Sequence, residues 1–345
     1  MQLGFYPATK YGSTATTEVM RMESVNKGNN KNRISSLSPG LVKTHISKQQ
    51  NFHKNSFFGN NPCLSREYND TQFISTFDDN LTDLGCHAKE KVAIIVHGWI
   101  ESIDTPWVPE LIANLREFRG GCIIFMMVND YFILVQKFNP ISIILLKKLR
   151  QLEEQGFDEN EMFLFGFSFG AQLVIQAGML FGNNRIAEID ACDPAGPGFV
   201  LLFELQPQLA AKNTQCIHTS SMKGTLKRNC HQDWLMGKCG RAQEAAGVFP
   251  RGSHGLCPKF YNAAFRHNFE ATQNVYRCPS LRVASFPENF KMGYMERRKN
   301  KVFGDLFSPT SECYPYNNIQ ASSFERLNRL ARRRRQRLSG PAICS

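Results

Sequence analysis

Ser168 stands in the segment Gly166-Phe167-Ser168-Phe169-Gly170, after the apolar run Met162-Phe163-Leu164-Phe165 and before the helix-favouring Ala171-Gln172-Leu173-Val174-Ile175. Strand, tight turn and helix are the context of a nucleophile elbow, with glycines on both sides where the chain passes too close to itself for side chains. A serine hydroxyl attacks an ester only when an imidazole takes its proton and a carboxylate fixes that imidazole in the right tautomer. The pentapeptide is too short to decide anything alone. Its meaning depends on whether a carboxylate and a histidine follow in suitable places.

Asp193 follows the run Ile189-Asp190-Ala191-Cys192 and precedes Pro194-Ala195-Gly196-Pro197, which stops a strand and forces a turn. In a parallel sheet the reacting groups belong at or just beyond the carboxyl ends of strands. Asp193 meets that condition, whereas alternation leaves its rival Asp190 inside the strand. Of the histidines downstream, His218 lies in the strand-like Cys216-Ile217-His218-Thr219 and His231 in a loop-like Cys230-His231-Gln232, both fitting structural roles, while His267 falls in an expected helix and is taken as solvated. His254, in Arg251-Gly252-Ser253-His254-Gly255, is placed on a mobile segment ahead of a helix and is the preferred base. A tetrahedral intermediate also needs amide donors for its oxyanion. The N–H of Phe169 is one candidate. Trp99, in the His97-Gly98-Trp99-Ile100 segment after the run Val92-Ala93-Ile94-Ile95-Val96, supplies the other unless that segment is an ordinary strand exit with a buried tryptophan.

The elements that must position these residues follow from the hydrophobic pattern. Continuous apolar runs at 92–96, 122–128, 162–165, 186–191 and 215–218 predict strands covered on both faces, and helical patterns at 108–118, 142–155, 171–181 and 260–274 separate or follow them. That alternation predicts an α/β fold, a mostly parallel central sheet with helices on both faces. Residues 220–258 read mostly as loop. Residues 1–62, rich in Ser, Thr, Asn and Lys, read as disordered; 63–320 form the folded domain; and 321–345 are a basic tail.

The formal charge of +11 over 345 residues could suggest a nucleic-acid binder. Its distribution argues against that, because eight Lys/Arg face two Glu in residues 1–60, and seven Arg face one Glu in 321–345. No nucleic-acid partner is expected. The run Arg332-Arg333-Arg334-Arg335 suits a heparan-type polysaccharide or another anionic surface, or is simply a solvated tail. With no stretch of 18 or more apolar residues, no spanning helix is indicated. The first residues lack the apolar core of a secretory signal, which alone predicts an intracellular chain. Eleven cysteines pull the other way, since Cys230, Cys239, Cys257 and Cys278 cluster in a polar region; Cys122, Cys192 and Cys216 sit in apolar runs and read as buried thiols. Asn69-Asp70-Thr71 and Asn80-Leu81-Thr82 are glycosylation acceptor triplets.

Taken together, the segments Val96-His97-Gly98-Trp99, Gly166-Phe167-Ser168-Phe169-Gly170, Asp193-Pro194-Ala195-Gly196-Pro197, Ile217-His218-Thr219, His231-Gln232-Asp233-Trp234 and Ser253-His254 resemble the animal pancreatic-type lipase family, insect members included. The resemblance implies a secreted, disulfide-bonded α/β-hydrolase that cleaves lipid esters, triacylglycerol or phospholipid, with Ser168, Asp193 and His254 and without cofactor or metal. Phe167 and Phe169 stand where the family's elbow usually carries histidine and leucine, a departure that bears on substrate fit. Between His231 and His254 there is room for only a short lid, with Ala246 and Gly252 in the places of the paired cysteines of long-lid members. That implies an open site more like phospholipases that remove the first acyl chain. The competing expectation is a lipase-like lipid-binding or yolk-type storage protein without turnover; the filled triad positions favour the enzyme.

Overall fold

In the computed structural model of the chain, residues 42–48, 73–75, 81–82, 86–99, 101–128, 138–199, 203–248, 251–274, 277–280 and 282–317 are described, the first two segments as backbone only. Among these residues nine strands form one sheet: β1 (Val42–Lys48), β2 (Phe73–Ser75), β3 (Val92–Val96), β4 (Cys122–Val128), β5 (Met162–Phe167), β6 (Glu188–Cys192), β7 (Asn213–His218), β8 (Gln232–Met236) and β9 (Gly304–Ser308). Their order is β2-β1-β4-β3-β5-β6-β7-β8-β9. From β4 to β9 all neighbours are parallel, and β1 pairs antiparallel with both β4 and β2. This is the expected α/β-hydrolase architecture.

Both faces of the sheet are buried, which is why its inner strands read as unbroken apolar runs. Val92, Ile94, Val96, Ile124, Met126 and Leu164 face one core, packed under α2 (Phe138–Glu154) and α3 (Phe169–Phe181). Ala93, Ile95, Ile123, Phe125, Phe163 and Phe165 face the other, under α1 (Trp107–Phe118) and α4 (Cys257–Ala263). Helix α3 buries ten of its thirteen residues, as a helix apolar on nearly every side must. Helix α2 begins at Phe138, ahead of Pro140, because a proline in the first turn lacks only an N–H that would be unpaired there anyway.

The chain runs from β3 out to β4 and then returns past β3 to β5, so strand order reverses between β3 and β5. Loops leaving the carboxyl ends on either side of such a reversal bound a crevice, the usual place for ligands in open parallel sheets. Val96 lies level with Gly166, and Phe167 with Cys192. The segments beginning at His97, Ser168 and Asp193 therefore emerge together.

Several expectations are corrected. Val42–Lys48 is a sheet strand, so the folded part begins before residue 63, and with β2 it supplies opening strands that polar, Lys-containing sequence hides. Strand β8 lies in the segment read as loop; its buried Gln232 and Asp233 interrupt the apolar pattern, Gln232 Nε2 donating to the carbonyls of Lys299 and Val302 and Asp233 pairing with His218. Helix α4 ends at Ala263, because the chain turns there to bring Ala271 N–H to the Phe290 carbonyl. Cys122, Cys192 and Cys216 are not thiols: among the described residues, disulfides join Cys86 to Cys122, Cys192 to Cys257, Cys216 to Cys230 and Cys239 to Cys278. A buried half-cystine and a buried thiol look alike in an apolar run. Among the described residues no helix is long and apolar enough to cross a membrane. Asn69, Asn80 and the arginines 332–335 lie outside the described residues.

Candidate active site

Ser168 sits on the turn between β5 and α3 with φ 57° and ψ −117°, a left-handed conformation that side chains disfavour. The surroundings hold it there. Its N–H donates to the Cys192 carbonyl at 3.0 Å, and its own carbonyl accepts from Ala195 N–H at 3.1 Å. A Cβ on Gly166 would come within 2.4 Å of the Gly170 carbonyl oxygen, and one on Gly170 within 2.3 Å of that of Val96. Close approach of backbone is thus what these two glycines permit, as the sequence suggests.

Asp193 follows β6 directly, also at positive φ (38°), and is fully buried. Its Oδ1 accepts the N–H groups of Thr219 (2.8 Å) and Ser220 (3.2 Å), so the carboxylate is clamped by the loop after β7. Its Oδ2 lies 2.5 Å from His254 Nδ1, and His254 Nε2 lies 2.8 Å from Ser168 Oγ. Carboxylate, imidazole and hydroxyl form one continuous hydrogen-bonded chain. His254 is not on a loose segment: it opens a 3-10 turn, His254–Leu256, leading into α4, is 8% exposed, and stacks obliquely on Phe167 with ring centroids 4.8 Å apart. The Cys192–Cys257 disulfide ties the strand before the aspartate to the turn carrying the histidine.

Asp190 is excluded from this chain of contacts. Its carboxylate, inside β6, accepts from Tyr261 Oη (2.5 Å) and Gln215 Nε2 (2.8 Å), and burial pushes it up to about 7. The other histidines are structural or peripheral. His218 bridges Asp233 (2.9 Å) and the Thr225 carbonyl (3.1 Å), His231 Nδ1 accepts from Thr214 N–H (3.0 Å), and His267, in the turn beyond α4, faces the Tyr314 ring.

The loop after β3 lies against the nucleophile. A Cβ on Gly98 would meet Ser168 Cβ at 2.9 Å, so a glycine is required for this contact. Gly98 N–H is taken by Glu101 Oε2 (3.0 Å), whose other oxygen accepts from Trp107 Nε1 (2.9 Å). Burial pushes the Glu101 carboxyl above its ordinary range, partly offset by these donors. Trp99 and Ser168 line a cleft of about 310 Å³ together with Glu101, Phe167, Lys223 and Arg251. Phe169, the first residue of α3, is buried with Phe199 and Phe138 in the core, so only Phe167 of the neighbouring phenylalanines faces the cleft. Glu101, Lys223 and Arg251 escape sequence reasoning. Only the position of Glu101, three residues after Gly98, hints at its contact.

Over the loop before the histidine, Gln243 N–H donates to Ser253 Oγ at 3.0 Å, closing a short excursion in which Ala246 and Gly252 take no part in a disulfide. Arg251 is the residue of this loop that lines the cleft.

A seven-stranded parallel sheet with the serine on a strained turn after an inner strand and the acid after the next defines an α/β-hydrolase. A family model described as Lipase matches residues 18–234, well over half of the chain, and the protein belongs to that family, the pancreatic-type lipases. It is 27% identical over 131 residues to hepatic triacylglycerol lipase of Mus musculus and 26% identical over 131 to that of Rattus norvegicus, in each case across 35% of this chain and 26% of the relative. The matched part thus spans about a quarter of the length of these curated relatives. Among solved structures, an esterase of Pyrococcus furiosus gives a TM-score of 0.31 at 15% identity, over 40% of this chain and 64% of that one. Esterase PE8 gives 0.31 at 16%, over 40% and 74%. Likenesses this slight add nothing to the strand order itself.

Proposed function

We propose that the protein is a secreted serine ester hydrolase acting on lipid esters, triacylglycerol or phospholipid, through an acyl-enzyme on Ser168. The observation that carries this reading is the unbroken chain from Asp193 through His254 to Ser168, at 2.5 and 2.8 Å. His254 Nε2 takes the Oγ proton as Oγ attacks the ester carbonyl, and the imidazolium is stabilised by Asp193. The oxyanion is met by the N–H groups of Phe169 and Trp99, the latter in the loop pressed against Ser168. His254 then hands its proton to the departing alkoxide. Water, deprotonated by the same nitrogen, attacks the acyl-enzyme and releases the fatty acid. Apolar lining from Phe167, Trp99, Ala195 and Pro197 suits an acyl chain, and the short loop before His254 suits a site open to lipid. The four disulfides among the described residues suit an oxidising compartment.

The test is covalent labelling of the oxidised full chain by a neutral fluorophosphonate, with Ser168→Ala as control. Labelling that disappears in the variant is the expected result. A folded, oxidised protein that does not label overturns the hydrolase reading and leaves a lipid-binding one.

A further inference from the structure

Two cationic side chains line the cleft without any part in the proton relay, Lys223 and Arg251. Both are mounted on segments tied to the triad. The turn carrying Lys223 is strapped to the loop after Asp193: the Lys223 carbonyl accepts from Gly196 N–H (2.8 Å), Thr225 N–H donates to the Pro194 carbonyl (2.7 Å), and Ser220 N–H donates to Asp193 itself (3.2 Å). The ammonium lies 5.9 Å from the ring centroid of Trp99. Arg251 begins the turn of His254, and its carbonyl accepts from Gly255 N–H at 3.0 Å. Its stem lies over Gly255, where an added Cβ would come within 2.7 Å of Arg251 Cβ. No hydrogen bond or ion pair among the described residues engages the Arg251 guanidinium.

The lining sets one acid, Glu101, against two cations. Both its oxygens already accept hydrogen bonds, from Gly98 and Trp107; burial pushes its carboxyl above the ordinary range, while the charge of Arg251 is among the influences that hold it down. A neutral triacylglycerol filling the cleft would displace water from two cationic side chains and bring no negative charge in exchange, which is costly. A phosphate would instead accept from both, and the planar fork of a guanidinium matches its oxygens. The same groups that welcome a charged substrate therefore disfavour an uncharged one.

We propose that Lys223 and Arg251 form a subsite for a negatively charged phosphate on the substrate, so that the lipid ester taken by this cleft is an anionic glycerophospholipid. This rests on the hydrolase reading above, but its test is separable from it. Full-length Ser168→Ala protein, which cannot turn over, is titrated calorimetrically with short-chain dihexanoyl phosphatidic acid below its micelle concentration, with dihexanoylglycerol, and with inorganic phosphate. Phosphatidic acid should bind about tenfold or more tightly than the neutral diester, as a charge-assisted pair of contacts predicts, and the margin should shrink with added salt. Adding Lys223→Gln and Arg251→Gln should bring the two lipids within about twofold of each other, while Lys223→Arg with Arg251→Lys keeps most of the preference. Equal binding of both lipids to the Ser168→Ala protein overturns the subsite, as does a preference that survives the double glutamine substitution. Inorganic phosphate binding as tightly as phosphatidic acid overturns the lipid assignment. Fluorophosphonate labelling of the unsubstituted chain reads the hydrolase proposal independently of all these outcomes.

Discussion

Replacing Asp193 by asparagine tests the relay at its most constrained member. Oδ1 of Asp193 accepts two backbone N–H groups, from Thr219 at 2.8 Å and Ser220 at 3.2 Å. An asparagine must therefore keep its carbonyl oxygen there, since its amide nitrogen would face two donors. The amide nitrogen is then forced towards His254 Nδ1, now 2.5 Å from the carboxylate oxygen it replaces. Being a donor, it selects the imidazole tautomer with the proton on Nε2, which can donate to Ser168 Oγ but cannot accept its proton. The variant thus loses both the base and the stabilisation of the imidazolium. Loss of an equivalent aspartate in serine hydrolases lowers kcat by about 10⁴-fold, or roughly 5.5 kcal/mol of transition-state stabilisation. Side-chain volume and the two backbone contacts are conserved, so thermal stability should change little in comparison. The assay is the second-order rate of fluorophosphonate inactivation, beside a melting curve for each protein. A variant that melts normally and reacts within about tenfold of the parent would refute the assignment of the tautomer to Asp193.

Gly170→Ala should destabilise by about 1–3 kcal/mol or prevent folding, because the new Cβ would lie 2.3 Å from the Val96 carbonyl oxygen and 2.6 Å from that of His97; chemical denaturation measures it. Removing the Cys192–Cys257 disulfide by paired alanines should cost roughly 4 kcal/mol in a chain-entropy account of its 65-residue separation, and should lower labelling of Ser168 more than loss of Cys239–Cys278, which lies away from the relay; melting and labelling rates compare the two. For His218, burial alone would lower the pKa, but the hydrogen bond and charge of Asp233, with Asp193 beyond, raise it above the ordinary 6.5. Its contribution to stability is then fully present below pH 6.5 and is lost as pH rises through the folded value. The difference in unfolding free energy between the parent and His218→Gln should accordingly shrink as pH rises from 5.5, and a difference that is flat or grows would contradict the raised value.

The central strands were legible because both of their faces are covered, which leaves no polar alternation to confuse the pattern. Ser168 was legible for a related reason: crowding by the Val96 carbonyl and by α3 admits only glycine at 166 and 170, and that leaves a mark in sequence. Asp193 could be told from Asp190 by strand alternation, and the contacts of Asp190 with Tyr261 and Gln215 account for why a second carboxylate lies so near. His254 does lie between Asp193 and Ser168, but the reason for choosing it does not hold, since it is packed on Phe167 and clamped by a turn rather than carried on a loose loop. Lys223, Arg251 and Glu101 were not legible. They sit on irregular segments with no period, and nothing short of the folded sheet brings residues 101, 223 and 251 to one cleft. Strands β8 and β9 were hidden by buried polar residues such as Asp233 and Asp305, whose partners, Arg282 and Arg228, are far away in the chain.

The backbone at Ser168, at φ 57° and ψ −117°, is one that glycine tolerates far better than serine, and holding a side chain there costs on the order of 1–3 kcal/mol. Ser168→Gly is therefore a substitution that robustness alone would reward. A stability screen blind to esterase activity should return glycine at this position. Serine at 168 is thus held against its own backbone preference, and the hydrogen bonds with Cys192 and Ala195 are what fasten it.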